Sequence, residues 1–317
     1  MTTHRLDPTQ ETTRDTFSRD HAPALSIDPG DTVVVRSLDA SGYLSRQTFP
    51  GEQREKMFAE PRGHCLTGPI EVRGAQPGDL IALRLGSLLP GDWGWTVAAA
   101  LDTPVTRRLG LAESPPAWLL WELDPDSGKG TNDRGISRPL APFLGVMGLA
   151  PEAPGEHSTI PPRAECGGNI DCKELVAGAT LFLPVTVPGA LLYLGDGHAA
   201  QGDGEAGGTA IECPMTTEAT VDLIRGHLVA GDLATGRPLA GVHAETPAGR
   251  ITFGFDADLN AAMGDALDAM VTWMQSLYDL DKATALALAS TCVDLRVTQV
   301  ANQTWGVHAV LPDGLTS

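Results

Sequence analysis

The chain has 317 residues and a formal charge of −18, from 22 basic and 40 acidic residues. A surface this acidic repels phosphate backbones and anionic lipid headgroups, which argues against nucleic acid and membrane surfaces as partners. Hydrophobic residues make up 42% of the chain, enough for a sizeable core. The 36 glycines and 24 prolines show no collagen-like period and are typical of short strands joined by tight turns.

The sequence favours a cytoplasmic location. No apolar run approaches the roughly 20 residues that a bilayer crossing needs. Residues 1–7 lack the apolar core of a secretory signal. The five cysteines are scattered, with no pair at C-x-x-C spacing, so neither a disulfide framework nor a cysteine zinc site is expected. We therefore expect a protein of the reducing cytoplasm.

The first 250 residues are predicted to consist mainly of strands. Apolar or β-branched runs of strand length occur at residues 32–38, 80–85, 180–187, 190–194 and 219–223. The first two runs each follow the turn-forming triplet Pro-Gly-Asp. We expect a mainly β body, of β-sandwich or jelly-roll-like type, over residues 1–250.

The last part of the chain has a different pattern. Apolar residues recur at helical spacing over residues 259–277, and Asp258 is placed to cap that helix. Asp281 is placed to cap a second helix over residues 283–290. Strand-like runs cover residues 250–255, 293–300 and 305–310. We predict a smaller α+β unit, residues 251–317, packed on the β-rich body.

Two glycine-rich loops carry the residues with chemical potential. One, residues 155–163, leads to a Gly-Gly-Asn-Ile-Asp run at 167–171, and the other, residues 195–205, follows the predicted strand 190–194. A rigid scaffold often presents functional groups where a strand opens into such a loop. In the second loop Asp196 and His198 alternate with glycine, so an extended backbone would point both side chains to one side.

These residues can be interpreted as a metal site that activates water. Asp171, Asp196 and His198 are the candidate ligands, since zinc-type ions bind carboxylate and imidazole and keep an open position for water. Asp203 or Glu205 is the candidate base that takes the water's proton.

Ordinary explanations stand beside this interpretation. An Asp-x-His pair in a glycine-rich loop is also typical of a turn with a solvated aspartate, and Asn169 is a turn-former. Asp203 and Glu205 can be exposed loop carboxylates. His64 and His157 can be surface or core histidines. Spacing alone leaves both interpretations open.

Longer matches point to one family. The run at 167–171, the segment 181–185 and the loop 195–205 together resemble the acetamidase/formamidase family. Supporting matches lie at residues 67–79, 93–95 and 293–300. The resemblance therefore covers nearly the whole chain in the expected order.

The resemblance implies hydrolysis of a short amide, such as formamide or acetamide, to ammonia and the acid. It also implies a mainly β fold with an α/β portion, homo-oligomers built from dimers or trimers, and a divalent metal. Zinc is the expected ion, and calcium is a candidate second or structural ion. Cys166, just before the 167–171 run, has no assigned role. The matched motif positions are Asn169, Asp171, Asp196, His198, Gln201, Asp203 and Glu205.

We assign roles within this set from ligand chemistry. The metal ligands are Asp171, Asp196 and His198. The catalytic carboxylates are Glu205 and Asp203. The residues that shape the site around the substrate are Asn169, Gln201, His157 and His64.

Other functions compete with this assignment. A Ser-Ser-Lys amidase arrangement is not found, and a nitrilase-type Glu-Lys-Cys triad would draw on Glu165, Cys166 and residues 172–174 but expects alternating strands and helices. A non-catalytic module that binds a metal or an amide remains open, as does a carbamate, urea-like or larger amide substrate. The candidate walls of the substrate pocket are Trp93, Trp95, Trp121 and Phe143.

Overall fold

The computed structural model describes residues 1–100, 102–226 and 239–314. Within these ranges the chain forms many short strands and few helices. The strands are β1 (Thr3–Leu6), β2 (Thr13–Arg14), β3 (Thr16–Phe17), β4 (Leu25–Ile27), β5 (Asp31–Ser37), β6 (Leu66–Val72), β7 (Leu80–Pro90), β8 (Trp93–Ala98), β9 (Ala117–Asp124), β10 (Lys129–Asn132), β11 (Ser137–Pro139), β12 (Phe143–Leu149), β13 (His157–Ser158), β14 (Gly167–Asn169), β15 (Thr180–Pro184), β16 (Leu192–His198), β17 (Glu212–Cys213), β18 (Met215–Ile224), β19 (His243–Thr246), β20 (Gly249–Asp256), β21 (Asp294–Gln299) and β22 (Trp305–Leu311). The helices are α1 (Pro104–Arg108), α2 (Leu259–Tyr278) and α3 (Lys282–Cys292).

Two large sheets organise these strands. The first has nine strands in the order β1-β5-β18-β7-β15-β19-β20-β22-β21. The second has eleven: the path β11-β10-β9-β8-β17-β16-β12-β14, together with β6, which pairs with β16, β2 and β4. Strands β13 and β3 form a separate pair.

The two sheets share one hydrophobic core. Leu83 and Leu183 of the first sheet belong to the same buried cluster as Leu144 and Leu194 of the second, and each is at most 1% exposed. Burying a leucine of this kind stabilises the fold by about 1.5–3 kcal/mol. The predicted mainly β fold with a smaller helical unit is confirmed, while its jelly-roll character stays a prediction.

The two C-terminal helices have the capping residues that the sequence predicts. The Asp258 side chain accepts a hydrogen bond from the backbone of Asn260 at the start of α2, and Asp281 accepts from Ala283 and Thr284 at the start of α3. These bonds satisfy backbone N–H groups that the first turn leaves free. Among the described residues, no helix has the length and apolar character needed to span a membrane.

The predicted boundary between residues 250 and 251 falls inside β20. This strand is hydrogen-bonded to β19 on one side and to β22 on the other, so the first sheet runs across the boundary. The helices nevertheless have a core of their own, in which residues such as Ala266 and Met270 of α2 pack with Val307 and Ala309 of β22.

Strand β16 continues past its predicted end at Leu194. It includes Gly195 and Gly197, whose neighbours leave no room for a side chain. A Cβ at Gly195 would lie 2.9 Å from Leu66 Cδ2. A Cβ at Gly197 would lie 2.6 Å from the Cys213 carbonyl oxygen. These glycines therefore serve close strand packing rather than a loop. Their positions place Asp196 and His198 in a sheet.

Candidate metal centre

Four segments bring acidic side chains to His198. Asp196 precedes it by two residues in β16, and Glu212 of β17 is its direct cross-strand partner. Asp171 follows β14, which pairs with β12. Glu205 lies in the loop between β16 and β17. The centre is thus built on neighbouring strands of the second sheet and on the loops that follow them.

The side chains form two overlapping groups that share His198. His198 Nε2 lies 3.4 Å from Asp196 Oδ1 and 3.3 Å from Glu212 Oε2. Asp171, His198 and Glu205 form the other group, with ligand atoms within 4.8 Å of one another. All five residues are at most 7% exposed. The structure therefore places the three predicted ligands together and adds Glu205 and Glu212 to them.

Gln201 orients the His198 ring. Its amide Nε2 donates to the Asp171 carbonyl oxygen at 2.8 Å, so its Oε1 faces His198 Nδ1 at 2.9 Å. Since Oε1 can only accept, Nδ1 carries the hydrogen and Nε2 points toward the carboxylates. The Phe143 ring packs edge-on against the same imidazole, with ring centroids 5.0 Å apart.

The donor set fits a divalent cation. Four carboxylates surround one imidazole, and both Asp171 oxygens and Glu212 Oε2 are buried without a hydrogen-bond partner. Such atoms are costly to bury unless an ion or a donor compensates them. Carboxylate oxygen and imidazole nitrogen are ordinary ligands of zinc.

Gly145 leaves the space for these groups. A Cβ at Gly145 would collide with Asp196 Oδ2 and would lie 2.6 Å from Asp171 Oδ1 and 2.8 Å from His198 Cε1. Only a residue without a side chain therefore allows the three ligating groups to meet on this face of β12.

The shared burial shifts the ionisation of the acids. Burial raises the pKa of Asp171 and of Glu205 well above the usual range, and raises the pKa of Glu212 to about 7. Burial acts in the same direction on Asp196, but the charges of His64 and His198 hold the pKa of Asp196 below its ordinary value. Without added positive charge, the four acids cannot all ionise together.

Three of the acidic residues have a left-handed backbone. The φ angles are 55° at Asp171, 60° at Asp196 and 42° at Glu205. Non-glycine residues adopt this conformation rarely and at a cost of order 1 kcal/mol or more, and they concentrate at functional sites. The backbone is held in this form where it aims each carboxylate at the shared centre.

The other predicted site residues have varied positions. His64 Nε2 lies 4.0 Å from Asp196 Oδ2, and its Nδ1 is 3.0 Å from Thr159 Oγ1. Asn169 is buried with an unpartnered Oδ1, and its Nδ2 donates to the Ile160 carbonyl oxygen. His64 therefore borders the centre, and Asn169 precedes Asp171 by two residues.

Two predicted residues lie outside the groups at His198. Asp203 pairs with Lys173 Nζ at 2.6 Å, and its side chain is 37% exposed. His157 lies on β13, where its Nε2 is 3.0 Å from the Ala153 carbonyl oxygen. The base role considered for Asp203 therefore lacks the proximity that Glu205 has.

The four aromatic residues that were predicted to line the substrate pocket also lie in different places. Phe143 packs against His198, and Trp95 is the cross-strand partner of Glu212. Trp95 is 4% exposed and donates to Asp39 Oδ1, while Trp93 and Trp121 line a different cavity of about 450 Å³.

The cysteines of the nitrilase-type alternative are poor nucleophiles. Burial raises the pKa of Cys166 to about 12, and Cys166 packs in the main core at 1% exposure. Cys172 is fully buried, which raises the pKa of its thiol as well. A reactive cysteine needs a lowered pKa and access to solvent.

Two residues of the centre were missed in the sequence. Glu212 is an isolated acid between apolar neighbours, Ile211 and Cys213, and Gly145 interrupts an apolar strand. Both are recognisable signals, because a charge is rarely buried without a partner and a glycine inside a strand often marks a close approach.

Comparisons with known proteins agree with this architecture. The model of the acetamidase/formamidase family matches residues 2–157 and 152–312. The chain is 30% identical over 261 residues to an acetamidase of Mycolicibacterium smegmatis, covering 64% of each chain. It is 27% identical over 229 residues to a formamidase of Methylophilus methylotrophus, covering 56% of each chain. It thus spans about three fifths of the length of these curated relatives.

A solved structure matches over a longer range. The crystal structure of an acetamidase from Bacillus halodurans superposes with a TM-score of 0.82 and 28% identity, covering 97% of both chains. The family model and this superposition both extend across the two sheets and the C-terminal helices. This chain belongs to the acetamidase/formamidase family.

Proposed function

We propose that this protein hydrolyses a short aliphatic amide, of the formamide or acetamide type, to ammonia and the carboxylic acid, with a divalent metal ion at the candidate centre. The observation that carries the proposal is the buried set of four carboxylates around His198, with unpartnered oxygens at Asp171. The family relationship supports the reaction class.

The ion would be held by Asp171, Asp196, His198 and Glu212. Zinc is the proposed ion because the set combines imidazole with carboxylates, and calcium is the alternative where oxygen ligands dominate. When bound, such an ion acidifies water and polarises a carbonyl group.

Glu205 is the proposed base. Its carboxylate is buried beside Asp171 and His198, so an oxygen of Glu205 can accept a proton from water and return it to the departing nitrogen. His64 faces Asp196, and its side chain is 16% exposed, so His64 lies between the buried centre and solvent.

Burial favours a small substrate. The five residues around the centre are at most 7% exposed, and on this ground we propose a short amide rather than a bulky one. The same packing limits the access of bulk solvent, apart from the water that is consumed in hydrolysis, and this strengthens the interactions of charged groups with the substrate carbonyl.

Two substitutions test the division of roles. His198→Ala should lose bound metal and amide hydrolysis together, because it removes the nitrogen shared by both groups of acids. Glu205→Gln should keep the metal and lower kcat by about 10²–10⁴-fold. The measurements are elemental analysis of the purified protein and ammonia release from formamide and acetamide.

Controls separate this proposal from its alternatives. His4→Ala removes a histidine on β1 and should change neither metal content nor kcat. Full activity in Glu205→Gln would show that another group is the base. Metal-replete protein that releases no ammonia from short amides, carbamates or urea would instead be a binding module.

Assembly and location are also proposals. We infer a cytoplasmic homo-oligomer built from dimers or trimers. Large apolar side chains are exposed at Phe49, Leu109 and Ile136, at 58%, 64% and 60%, and subunit contacts would cover such groups. The mass of the particle in solution, measured by light scattering, tests the assembly.

A further inference from the structure

We propose that Cys172, Glu174 and His308 are the three protein ligands of a second metal site, of a zinc-binding type, that fastens the segment after Asp171 to β22. The site is separate from the proposed catalytic centre and does not depend on amide hydrolysis. It is also a cysteine-containing site that the spacing of the cysteines does not predict.

The three ligand atoms lie within 4.8 Å of one another, and two of their three separations match those of ligands around one ion. Glu174 Oε2 lies 3.3 Å from Cys172 Sγ and 3.3 Å from His308 Nε2. Ligands bonded to a tetrahedral zinc ion lie about 3.3–3.7 Å apart, given zinc bonds of about 2.0–2.3 Å. All three residues are buried, at 0%, 7% and 0% exposure.

His308 is oriented like a metal ligand. Its Nδ1 lies 2.8 Å from Thr298 Oγ1, while its Nε2 is buried and has no hydrogen-bond partner although the Glu174 carboxylate is close. A histidine that binds a metal commonly uses its second ring nitrogen to hold a neighbouring polar group. His198 shows the same arrangement, with Gln201 at Nδ1 and acids at Nε2.

The second oxygen of Glu174 is occupied by cations. Lys173 Nζ contacts Glu174 Oε1 at 2.8 Å, and Arg296 Nη1 contacts the same oxygen at 2.9 Å. Lys173 also pairs with Asp203, and Arg296 also pairs with Asp294. These three carboxylates and two cations sum to a charge of −1. The ion would face Oε2 instead, on the side of the sulfur and the imidazole.

Metal binding then balances the charge. The Cys172 S–H bond breaks, its proton leaves to solvent, and the thiolate donates an electron pair to the 2+ ion. The net gain of one positive charge brings the group to neutrality. Sulfur and imidazole ligands together select zinc-like ions over calcium or magnesium.

Cobalt reports directly on the sulfur ligand. Metal-free protein is titrated with Zn²⁺, and separately with Co²⁺, while near-ultraviolet absorption is followed. We expect a thiolate-to-cobalt charge-transfer band. The band should saturate with about one equivalent of Co²⁺ at this site per chain. It should disappear in Cys172→Ser and persist in His198→Ala.

Two further variants keep the test decisive. Cys166→Ser alters another fully buried cysteine and should retain the band. His308→Gln keeps the thiol and should weaken Co²⁺ binding at this site at least about 10-fold. Absence of the band in the parent protein, or its survival in Cys172→Ser, would overturn the second site. Loss of the band only with His198→Ala would assign the sulfur signal to the first centre and also overturn it.

Discussion

The two buried groups differ in how their negative charge is balanced. Around His198 there are four carboxylates, and within the described parts of the chain no lysine or arginine forms an ion pair with them. At Cys172 there is one buried carboxylate, Glu174, and it contacts both Lys173 and Arg296. The first group therefore either retains protons or takes positive charge from a ligand, whereas the second is nearly balanced by the protein.

This difference sets the expected sensitivity of each group. Uncompensated acids in a low-dielectric interior repel one another strongly. Removal of metal should consequently disturb the first group more than the second. The following substitutions test that contrast, beginning with the largest effect.

Gly145→Ala should have the largest effect. The added methyl group would overlap Asp196 and press on Asp171 and His198, so the ligands could no longer converge. We expect loss of bound metal and a decrease in kcat/KM of about 100-fold or more. Metal analysis and amide hydrolysis measure both effects.

Gly202→Ala is the matched control for Gly145→Ala. A Cβ at Gly202 meets nothing within 4 Å, and the change should leave metal content and rate unaltered. Retention of full metal content in Gly145→Ala would contradict the convergence of ligands at this position. The cobalt band assigned to Cys172 should survive in both variants.

Gln201→Leu should have an intermediate effect confined to the first group. It removes the acceptor that orients His198 Nδ1 and the donor to the Asp171 carbonyl. We expect metal affinity at this centre to fall about 10–100-fold, as for other partners of metal-bound histidines. Competition with a chelator measures the affinity, and an unchanged dissociation constant would exclude the orienting role.

Asp15→Asn should have the smallest effect. Asp15 is a buried carboxylate at neither ion site, and it accepts hydrogen bonds from the side chain and the backbone of Arg62. Burial alone would raise its pKa, but these bonds hold the pKa of Asp15 below its ordinary value. This acid is balanced by the protein, as Glu174 is, but it lies at neither proposed metal site.

The sign of the pH effect at Asp15 follows from that direction. Because its folded pKa is below the unfolded value of about 3.9, the carboxylate stabilises the fold above that pH, and the contribution is lost as pH falls through the folded pKa. Asp15→Asn should lower the free energy of unfolding by about 1 kcal/mol at pH 7, and less in acid. Denaturant unfolding at several pH values tests this, and loss of metal in the variant would contradict it.

Local signals made the helices predictable. The apolar spacing of α2 and the capping residues Asp258 and Asp281 act within a few residues, and each helix begins directly after its predicted cap. Strands β5, β18 and β22 were also recognisable from short β-branched or alternating runs. Such features depend on neighbours along the chain.

The end of β16 was harder to predict because glycine is common both in loops and in strands that pack closely against their neighbours. Gly195 and Gly197 are typical of a loop, but here Leu66 and Cys213 approach them so closely that any side chain would be excluded. The strand therefore extends through Asp196 and His198, and the tertiary contacts that decide this lie far away in sequence.

The sequence by itself determined the mainly β class, the helix caps, the family resemblance and four of the residues that meet at the centre: Asp171, Asp196, His198 and Glu205. Only the tertiary structure decided that Glu212 joins them and that Gly145 leaves space for their side chains. It also decided that Asp203 forms an ion pair with Lys173 instead. Strand register and the exclusion of side chains are properties of pairs distant in the chain. Spacing along one segment does not encode them, so the division of roles among the acids emerges only when the sheets are assembled.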